Sequence, residues 1–332
     1  MVFAVAAVAL VGCGPQQNAL APHSHQSGDI ANLFWWMMGG AWIGLALIVG
    51  LLVWAWRGRG RRGLGGRDDA DPSKPGERRA WYVVVGAGVI TPIALIVALF
   101  VIANIFVIQS TEAPAAGATK LTIDVTGHQW WWEVRYPGTP AVTANEIHIP
   151  VRTPVRVVVH TADVIHSFWV PELNRTIDTI PGRSNAIELY ADAVGRYRGQ
   201  CDEFCGLQHA HMAFYVFADP PGRFRRWLAA QARPAKAPAS AAAQAGERAF
   251  MSGPCSSCHT IRGTSAGGDT GPDLTHVGSR TSLAAITVAN TPAELARWID
   301  HAQELKPGNQ MPDFDLPSGQ VQQLVAYLEG LR

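Results

Sequence analysis

Two long stretches without a charged side chain constrain this chain more than any other feature. They cover residues 31–56 and 80–108, which is 26 and 29 residues. As a helix rising 1.5 Å per residue, the shorter stretch would reach ~39 Å, more than the ~30 Å hydrocarbon core of a bilayer. Buried core helices are rarely this long and apolar on every side, so both stretches are predicted to span a membrane.

The segment between the two stretches, residues 57–79, predicts their orientation. It holds eight Arg and Lys against four Asp and Glu, and short positive loops stay on the cytoplasmic side. Everything after residue 108 is then expected on the outer face. The net charge of the whole chain is only +1, so its overall charge gives no reason to expect nucleic-acid binding.

The N-terminal segment carries a possible processing signal. Residues 1–12 are apolar and lead into LVGC, which ends at Cys13. This pattern resembles the lipobox of bacterial lipoproteins, in which the leader is cleaved and the cysteine becomes a lipidated N-terminus, here followed by a periplasmic segment over residues 13–30. The leader lacks the basic residues with which a signal peptide begins, so a chance cysteine in an uncleaved leader is the alternative.

After the second apolar stretch the sequence pattern changes twice. Between residues 120 and 219, runs such as LTIDVTG, VRVVVH and AFYVFA alternate with Pro and Gly turns, which predicts a small all-β domain. Residues 222–245 are rich in Ala, Pro and Arg and are predicted to be a flexible linker. Residues 246–332 look helical: TPAELARWIDHAQEL has a Thr-Pro start, and SGQVQQLVAYLEGL is the last helical segment.

The motif CSSCH near the start of the helical region is the C-x-x-C-H signature of covalent haem attachment. Cys255 and Cys258 would bond the haem vinyl groups, and His259 would be an axial ligand of the iron. A disulfide between the two cysteines would leave the adjacent histidine unexplained.

The sixth iron ligand is predicted from the motifs that follow. GPDLTHVGSR begins at residue 271 and NQMPDF at residue 309, and with CSSCH they resemble the class I cytochrome c domain, in which Met311 would complete the coordination. A thioether ligand favours ferrous iron and raises the reduction potential. His276 and His301 are rival ligands, but neither has the Met-Pro context.

A second cluster of soft ligands lies in CDEFCGLQHAHM, residues 201–212. Zinc would not need the methionine, and a disulfide would not need the histidines. Thiolate and thioether suit Cu(I), and imidazole suits either copper oxidation state. Two thiolates on one loop can bridge two copper ions, each completed by one histidine. The candidate ligands are Cys201, Glu203, Cys205, His209 and Met212, together with His166 in the upstream DVIHSFWVP.

Three further segments join this loop in a resemblance that covers nearly the whole chain. They are GHQWWWEVRYP from residue 127, DVIHSFWVPEL from residue 163 and DTIPGRSN from residue 178. Together they resemble subunit 2 of haem–copper cytochrome c oxidase, which carries the binuclear copper A centre. The resemblance implies a transmembrane helical hairpin, a cupredoxin-like all-β domain and, through the fused all-α cytochrome c domain, similarity to the caa-type oxidases.

The resemblance also implies a role for each candidate copper ligand. Cys201 and Cys205 would bridge the two coppers, and His166 and His209 would bind one copper each. Met212 would be a weak ligand. His211, two residues from His209, is the alternative histidine, but the C-x3-H spacing in the family favours His209.

Other positions take roles from the same resemblance. Glu203 would bind copper through its main-chain carbonyl and, through its side chain, a magnesium ion shared with subunit 1. Trp130 matches the tryptophan through which external electrons arrive. Asp178 and Arg183 match the stretch that faces subunit 1.

Two positions depart from the family pattern. The family usually has Ser or Ala where this chain has Asp202, the second residue of the copper loop. It often has a lysine shortly before the DTIPGR stretch, where the nearest cation here is Arg175.

These features imply a subunit of a respiratory oxidase in a bacterial cell membrane. Electrons would pass from haem c to copper A and on to subunit 1, where dioxygen is reduced and protons are translocated. Neither apolar stretch contains a histidine, so the oxygen site is expected in a partner. Expected partners are subunits 1 and 3, membrane lipid and a donor, either cytochrome c or a quinol–cytochrome c reductase.

Two other functions compete with this interpretation. The first is a membrane-tethered electron carrier or copper-delivery lipoprotein without an oxidase partner; the DTIPGR stretch and the second helix argue against it. The second is a copper A nitrous- or nitric-oxide reductase, which the helical hairpin and the fused haem domain disfavour.

Overall fold

The structure is a computed structural model that describes residues 17–59 and 75–332. The predicted leader, Cys13 and most of the predicted cytoplasmic loop lie outside the described residues. The chain forms two compact units. One is Gly28–Ser110, and the other combines Thr111–Arg332 with the described part of Met1–Ser27.

The first unit is helical and contains both apolar stretches. Helix α1 covers His25–Arg59, and the second apolar stretch forms α2 (Pro75–Val85) and α3 (Thr91–Ala103). Two helical spans of 34 residues, His25–Gly58 and Arg78–Thr111, are long and apolar enough to cross a membrane. Their length and uninterrupted apolar surface agree with the predicted membrane hairpin.

A wide helical turn at Gly86–Ile90 joins α2 to α3 just before Pro92. Proline has no N–H to donate and its ring crowds the preceding turn, so a regular helix is disturbed there. The wider turn accommodates this disturbance: both the main-chain N–H and the hydroxyl of Thr91 donate to the carbonyl of Gly86, the latter at 2.9 Å. The second span therefore stays helical through its proline.

The second unit begins with two five-stranded sheets packed as a sandwich. Their orders are β3-β2-β1-β5-β8 and β4-β10-β9-β6-β7. The strands are β1 Thr122–His128, β2 Trp131–Arg135, β3 Val142–Ala144, β4 Glu146–Pro150, β5 Val155–Thr161, β6 His166–Trp169, β7 Ile177–Thr179, β8 Asn185–Leu189, β9 Gly195–Cys201 and β10 Ala213–Asp219. Alternate residues of β1 are buried, as expected for strands with one face on the core. Trp132, Phe168 and Phe214 fill the space between the sheets through edge-on and stacked ring contacts.

The segment after the sandwich differs from the predicted flexible linker over residues 222–245. Helix α4 covers Pro221–Gln231, and Phe224 belongs to the sandwich core. The Trp227 ring stacks on His148 with a centroid distance of 3.9 Å. Phe224, Trp227 and Leu228 recur at helical spacing, a signal that the Ala- and Pro-rich composition obscured.

The C-terminal part of this unit is mainly helical. Its elements are α5 Ala241–Ser252, α6 Cys255–Cys258, α7 Pro292–Asp300, α8 Ala302–Leu305 and α9 Ser318–Gly330, with a hairpin of β11 Ser282–Leu283 and β12 Val288–Ala289. The Thr291 hydroxyl caps α7 by accepting from the main-chain N–H of Glu294, as the Thr-Pro start predicts. The helix predicted from TPAELARWIDHAQEL breaks at His301, whose φ of −131° is not helical.

Direct hydrogen bonds hold the helical domain against the sandwich. Glu146 Oε1 accepts from the main-chain N–H of Thr281 at 2.7 Å and from its hydroxyl at 2.5 Å. Gln208 in the loop after β9 donates to the carbonyl of Pro307 at 2.7 Å. These contacts, with the packing of α4, fix the position of the helical domain.

Helices α5 and α9 cross so closely that Gly246 has no room for a side chain. A Cβ atom there would lie 1.9 Å from the carbonyl oxygen of Gln323. We expect Gly246→Ala to lower the free energy of unfolding by about 2–3 kcal/mol, since the helices must separate. Denaturant unfolding, followed through an absorbance signal of the helical domain, gives the free energy of unfolding of the variant and of the unaltered protein.

Gly319→Ala is the matched control, because Gly319 also lies in one of the two crossing helices but has nothing within 4 Å of the added Cβ. Its free energy of unfolding should stay level or rise by at most ~1 kcal/mol. Equal losses in the two variants would contradict the close-crossing explanation.

Candidate functional site

The loop after β9 is held at both ends by neighbouring strands. Strands β9 and β10 pair antiparallel, and the main-chain N–H of Cys201 donates to the carbonyl of Met212 at 2.9 Å. On the other side of β9, strand β6 places Phe168 opposite Cys201. The sheet thus brings the start of β6, with His166, beside the loop that carries the remaining predicted ligands.

The six predicted copper ligands converge on one place. The two sulfurs of Cys201 and Cys205 are 3.7 Å apart. Each faces a different histidine: Cys201 Sγ is 3.9 Å from Nδ1 of His166, and Cys205 Sγ is 3.6 Å from Nδ1 of His209. The remaining donors are Met212 Sδ, 3.7 Å from Cys205 Sγ, and the Glu203 carbonyl, 3.2 Å from Cys201 Sγ.

Asp163 orients the His166 ring, a role that the sequence did not reveal. The ring donates from Nε2 to Asp163 Oδ1 at 2.8 Å, which leaves Nδ1 free to face the sulfurs. Asp163 is itself held by the main-chain N–H groups of Gln129 at 2.6 Å and Val164 at 2.7 Å. Burial lowers the pKa of His166, but the hydrogen bonds and charges of Asp163 and Cys201 together outweigh it, so the net shift is upward.

The two cysteine thiols have pKa values shifted in opposite directions. Neither forms a disulfide in the structure. Their mutual hydrogen bond lowers the pKa of Cys201 to about 4, although burial opposes the shift, and it raises the pKa of Cys205. One thiolate is therefore present at neutral pH. Two cysteine sulfurs, two imidazoles and a thioether are the donor set that suits a copper pair.

His211 and the exposed residues of the site do not face the sulfurs. His211 Nδ1 is occupied by a 2.7 Å hydrogen bond with Oε1 of Gln208. The side chains of Glu203, Asp178 and Arg183 are exposed. Asp178 lies on edge strand β7, directly opposite Ser167 of β6, so the predicted partner-facing stretch lies next to His166.

A cavity in the helical domain brings together the four predicted haem-binding side chains. The residues Cys255, Cys258, His259 and Met311 all line it. Most of the other lining residues are apolar. The rival ligands His276 and His301 are not among the residues that line it: His276 is hydrogen-bonded through Nε2 to the carbonyl of Arg233 at 3.0 Å.

Two features of the cavity fit a haem. His259 donates from Nδ1 to the carbonyl of Pro272 at 2.8 Å, so Nε2 is the free nitrogen, and burial lowers the pKa of His259, which favours the neutral form that binds metal. Arg280 also lines the cavity, and its buried Nε has no hydrogen-bond partner in the described part of the chain. A haem carboxylate is the kind of acceptor that this guanidinium lacks.

Trp130 lies between the cavity and the sulfur cluster. Its ring lines the cavity and is 9% exposed, and its indole N–H donates to the carbonyl of Cys205 at 3.0 Å. Gly206, the next loop residue, has a φ of +112°, and a Cβ there would come within 3.1 Å of the Trp130 ring. The loop thus passes directly beneath the tryptophan.

Lys306, which no sequence motif selects, is buried at the same place. Only 3% of it is exposed, and its ammonium donates to the carbonyls of Trp130 and His211 at 2.8 Å and of Ala284 at 3.1 Å. Burial lowers the pKa of Lys306 to about 7, and the Cys205 thiol group opposes this shift in part.

Comparisons with known families agree with this geometry. The family profile described as "Cytochrome C oxidase subunit II, periplasmic domain" matches residues 140–218, and the profile described as "Cytochrome c" matches residues 243–332. With the two apolar helices and the β-sandwich, these matches confirm the predicted fold class.

Individual relatives extend the match beyond the two profiles. The chain is 35% identical over 247 residues to cytochrome c oxidase subunit 2 of Alkalihalophilus pseudofirmus, covering 73% of this chain and 71% of the relative. It is 30% identical over 223 residues to that of Bacillus subtilis, covering 64% and 62%. The solved periplasmic domain of subunit II of cytochrome oxidase from Bradyrhizobium japonicum is 35% identical, with a TM-score of 0.33, and the match covers 33% of this chain and 92% of that one.

The burial of Lys306 predicts a pH dependence of stability. Its pKa is about 7 in the folded protein against 10.5 for the free side chain, so between these values the unfolded chain binds more protons. The free energy of unfolding should therefore rise with pH above 7. From pH 7 to 9, we expect the unaltered protein to gain roughly 2 kcal/mol relative to Lys306→Met in denaturant unfolding. Parallel pH profiles for the two proteins would contradict this.

Proposed function

This chain belongs to the cytochrome c oxidase subunit 2 family, and we propose that it passes electrons from its own haem c through copper A to subunit 1 of a haem–copper oxidase. Subunit 1 would reduce dioxygen and translocate protons. When bound, the haem and the copper pair supply one-electron redox chemistry. The chain itself holds the two groups, sets their separation and excludes water from the space between them.

One observation carries this proposal: Trp130 is shared by the two candidate sites. Its ring forms a wall of the haem cavity, and its indole N–H donates to the carbonyl of Cys205, a residue of the sulfur cluster. A carrier that used either site alone would not require a single buried side chain to join them. The arrangement is what a relay from one redox group to the next requires.

The residues proposed to hold each group follow from the geometry. His166 and His209 would each bind one copper through Nδ1, since each faces a different sulfur. The bridges would come from Cys201 and Cys205, with Met212 and the Glu203 carbonyl as weak ligands. Cys255 and Cys258 would attach the haem, and His259 and Met311 would bind its iron from within the cavity that all four line.

The exposed side of the copper loop is proposed to face subunit 1. Phe204 is 76% exposed, and Val164 and Ile165, just before His166, are 38% and 43% exposed. Apolar side chains exposed beside a polar rim are typical of a protein interface. Asp178 and Arg183 would add polar contacts there, and the exposed Glu203 carboxylate could join a magnesium ion at the boundary.

The cellular setting completes the proposal. The two helical spans would anchor the chain in the bacterial cytoplasmic membrane, with both redox domains on the outer face. Subunit 3 would join the complex, and cytochrome c or a quinol–cytochrome c reductase would supply electrons to the haem. Lipidation at Cys13 remains a proposal from the sequence, because that residue lies outside the described residues.

Purification through a C-terminal affinity tag tests the function. We expect a large multi-helix haem protein to copurify, the complex to consume oxygen when given reduced cytochrome c, and its EPR spectrum to show the mixed-valence copper signal. A chain that carries copper and haem but copurifies with no oxidase would favour the tethered carrier or copper-delivery protein instead.

The choice between neighbouring histidines gives a sharper test of the copper site. His209→Ala should abolish the mixed-valence copper signal, because its Nδ1 faces Cys205 Sγ at 3.6 Å. His211→Ala is the matched control and should keep the signal, since its Nδ1 is bonded to Gln208. Loss of the signal in His211→Ala alone would overturn the assignment, and EPR of both purified variants decides.

A further inference from the structure

We propose that Lys306 is a positioning residue for electron transfer, holding the haem domain, Trp130 and the copper loop in one fixed arrangement. This inference rests on the proposed function and adds a residue to it. Lys306 follows α8 in the haem domain, and its side chain crosses the boundary to the sandwich. It also lines the haem cavity, together with Trp130 and Met311.

The three acceptors of Lys306 come from three separate segments. The carbonyl of Trp130 belongs to the turn between β1 and β2, that of His211 to the copper loop, and that of Ala284 to the haem domain. An ammonium has three N–H donors, so one side chain is fully used in joining the three segments. Movement of any of them would break a hydrogen bond to a buried charge.

Such a buried charge is costly unless it is fully hydrogen-bonded. Among the described residues, no carboxylate forms an ion pair with Lys306; the titratable groups near it are Cys205 and His211. The three carbonyls must therefore stay in place for the charge to remain buried. This makes Lys306 less tolerant of displacement than an exposed ion pair, which contributes little to holding a geometry.

Trp130 is consequently fixed at both ends. Its carbonyl accepts from Lys306 at 2.8 Å, and its indole N–H donates to the carbonyl of Cys205 at 3.0 Å. With both groups bound, the proposed transfer would take one electron from the haem, which would be oxidised, to the copper pair, which would be reduced, with no bond made or broken. Its rate falls steeply with separation, so small shifts at this boundary have large effects.

Other contacts across the boundary provide a comparison. Thr281 donates to Glu146 through its hydroxyl and its main-chain N–H. Within the described part of the chain, neither residue forms a hydrogen bond with Trp130 or the copper loop. If docking alone mattered, removing the Thr281 hydroxyl and removing the Lys306 ammonium would have similar effects on the transfer rate. If the position of Trp130 matters, only the loss of the Lys306 ammonium should slow the transfer severely.

The experiment uses the purified complex at pH 6, where Lys306 carries its proton. Haem is reduced by a light pulse, and the copper A absorbance gives the rate of electron arrival. The variant Lys306→Met keeps an unbranched side chain of similar length but removes the N–H donors and the charge. We expect it to slow the transfer at least tenfold. Lys306→Gln, which keeps a donor, should lie between Lys306→Met and the unaltered protein, and Thr281→Val should stay within twofold of the unaltered protein.

Reduction potentials supply a readout that a purely structural contact would not move. Loss of a buried positive charge disfavours the added electron, so Lys306→Met should lower the potentials of haem and copper A, whereas Thr281→Val should leave them unchanged. The proposal is overturned if Lys306→Met transfers electrons as fast as Thr281→Val with unchanged potentials. If Lys306→Met does not assemble, an unchanged rate in Lys306→Gln overturns it equally.

Failure of the proposed function would look different. In that case the unaltered protein itself would lack the copper signal or would copurify without an oxidase. If the unaltered complex is normal but the Lys306 variants change neither the transfer rate nor the potentials, only the positioning role is rejected.

Discussion

The pairing of β9 with β10 is the constraint on which the rest of the site depends. Because the two strands run antiparallel as neighbours, the loop between them must return to its starting point, and the bond from Cys201 to Met212 closes it. In this closed loop the sulfurs of Cys201 and Cys205 lie 3.7 Å apart, and His209 Nδ1 lies 3.6 Å from Cys205 Sγ. The sheet supplies the last predicted ligand, His166, from β6, so the arrangement of the donor atoms follows from main-chain hydrogen bonding as much as from the side chains.

The boundary between the sandwich and the haem domain is held mainly by groups that bond to main-chain atoms. Lys306, Gln208 and Arg262 all donate across it to carbonyl oxygens. Carbonyl oxygens cannot change rotamer or protonation state, so such contacts define position more strictly than pairs of long charged side chains do. These contacts keep Trp130 buried at the boundary, where it lines the cavity and bonds to the carbonyl of Cys205.

The parts that the sequence predicted are those encoded by local spacing. C-x-x-C-H and the C-x3-C-x3-H loop place their side chains through a few residues of backbone, and the structure brings these side chains together. The two apolar stretches form helices long enough to cross a membrane, as their length and composition predict. Lys306 acts through carbonyls that lie 22 or more residues away, so no local pattern singles it out. Asp163 lies only three residues before His166, but one aspartate at that spacing forms no recognisable motif. Helix α4 was missed for another reason: its three apolar anchors lie in a segment whose overall composition is typical of a linker.

Helix α4 also limits how far the haem domain can reach from the sandwich. Because it packs on the sandwich, only residues 232–240 remain free of helix between the two redox domains. Nine residues span at most ~32 Å when fully extended, too little for the haem domain to visit a neighbouring oxidase in the membrane. In the proposed relay, an electron accepted by one haem would therefore pass only to the copper pair of the same chain, and neighbouring oxidases would not exchange electrons through their haem domains.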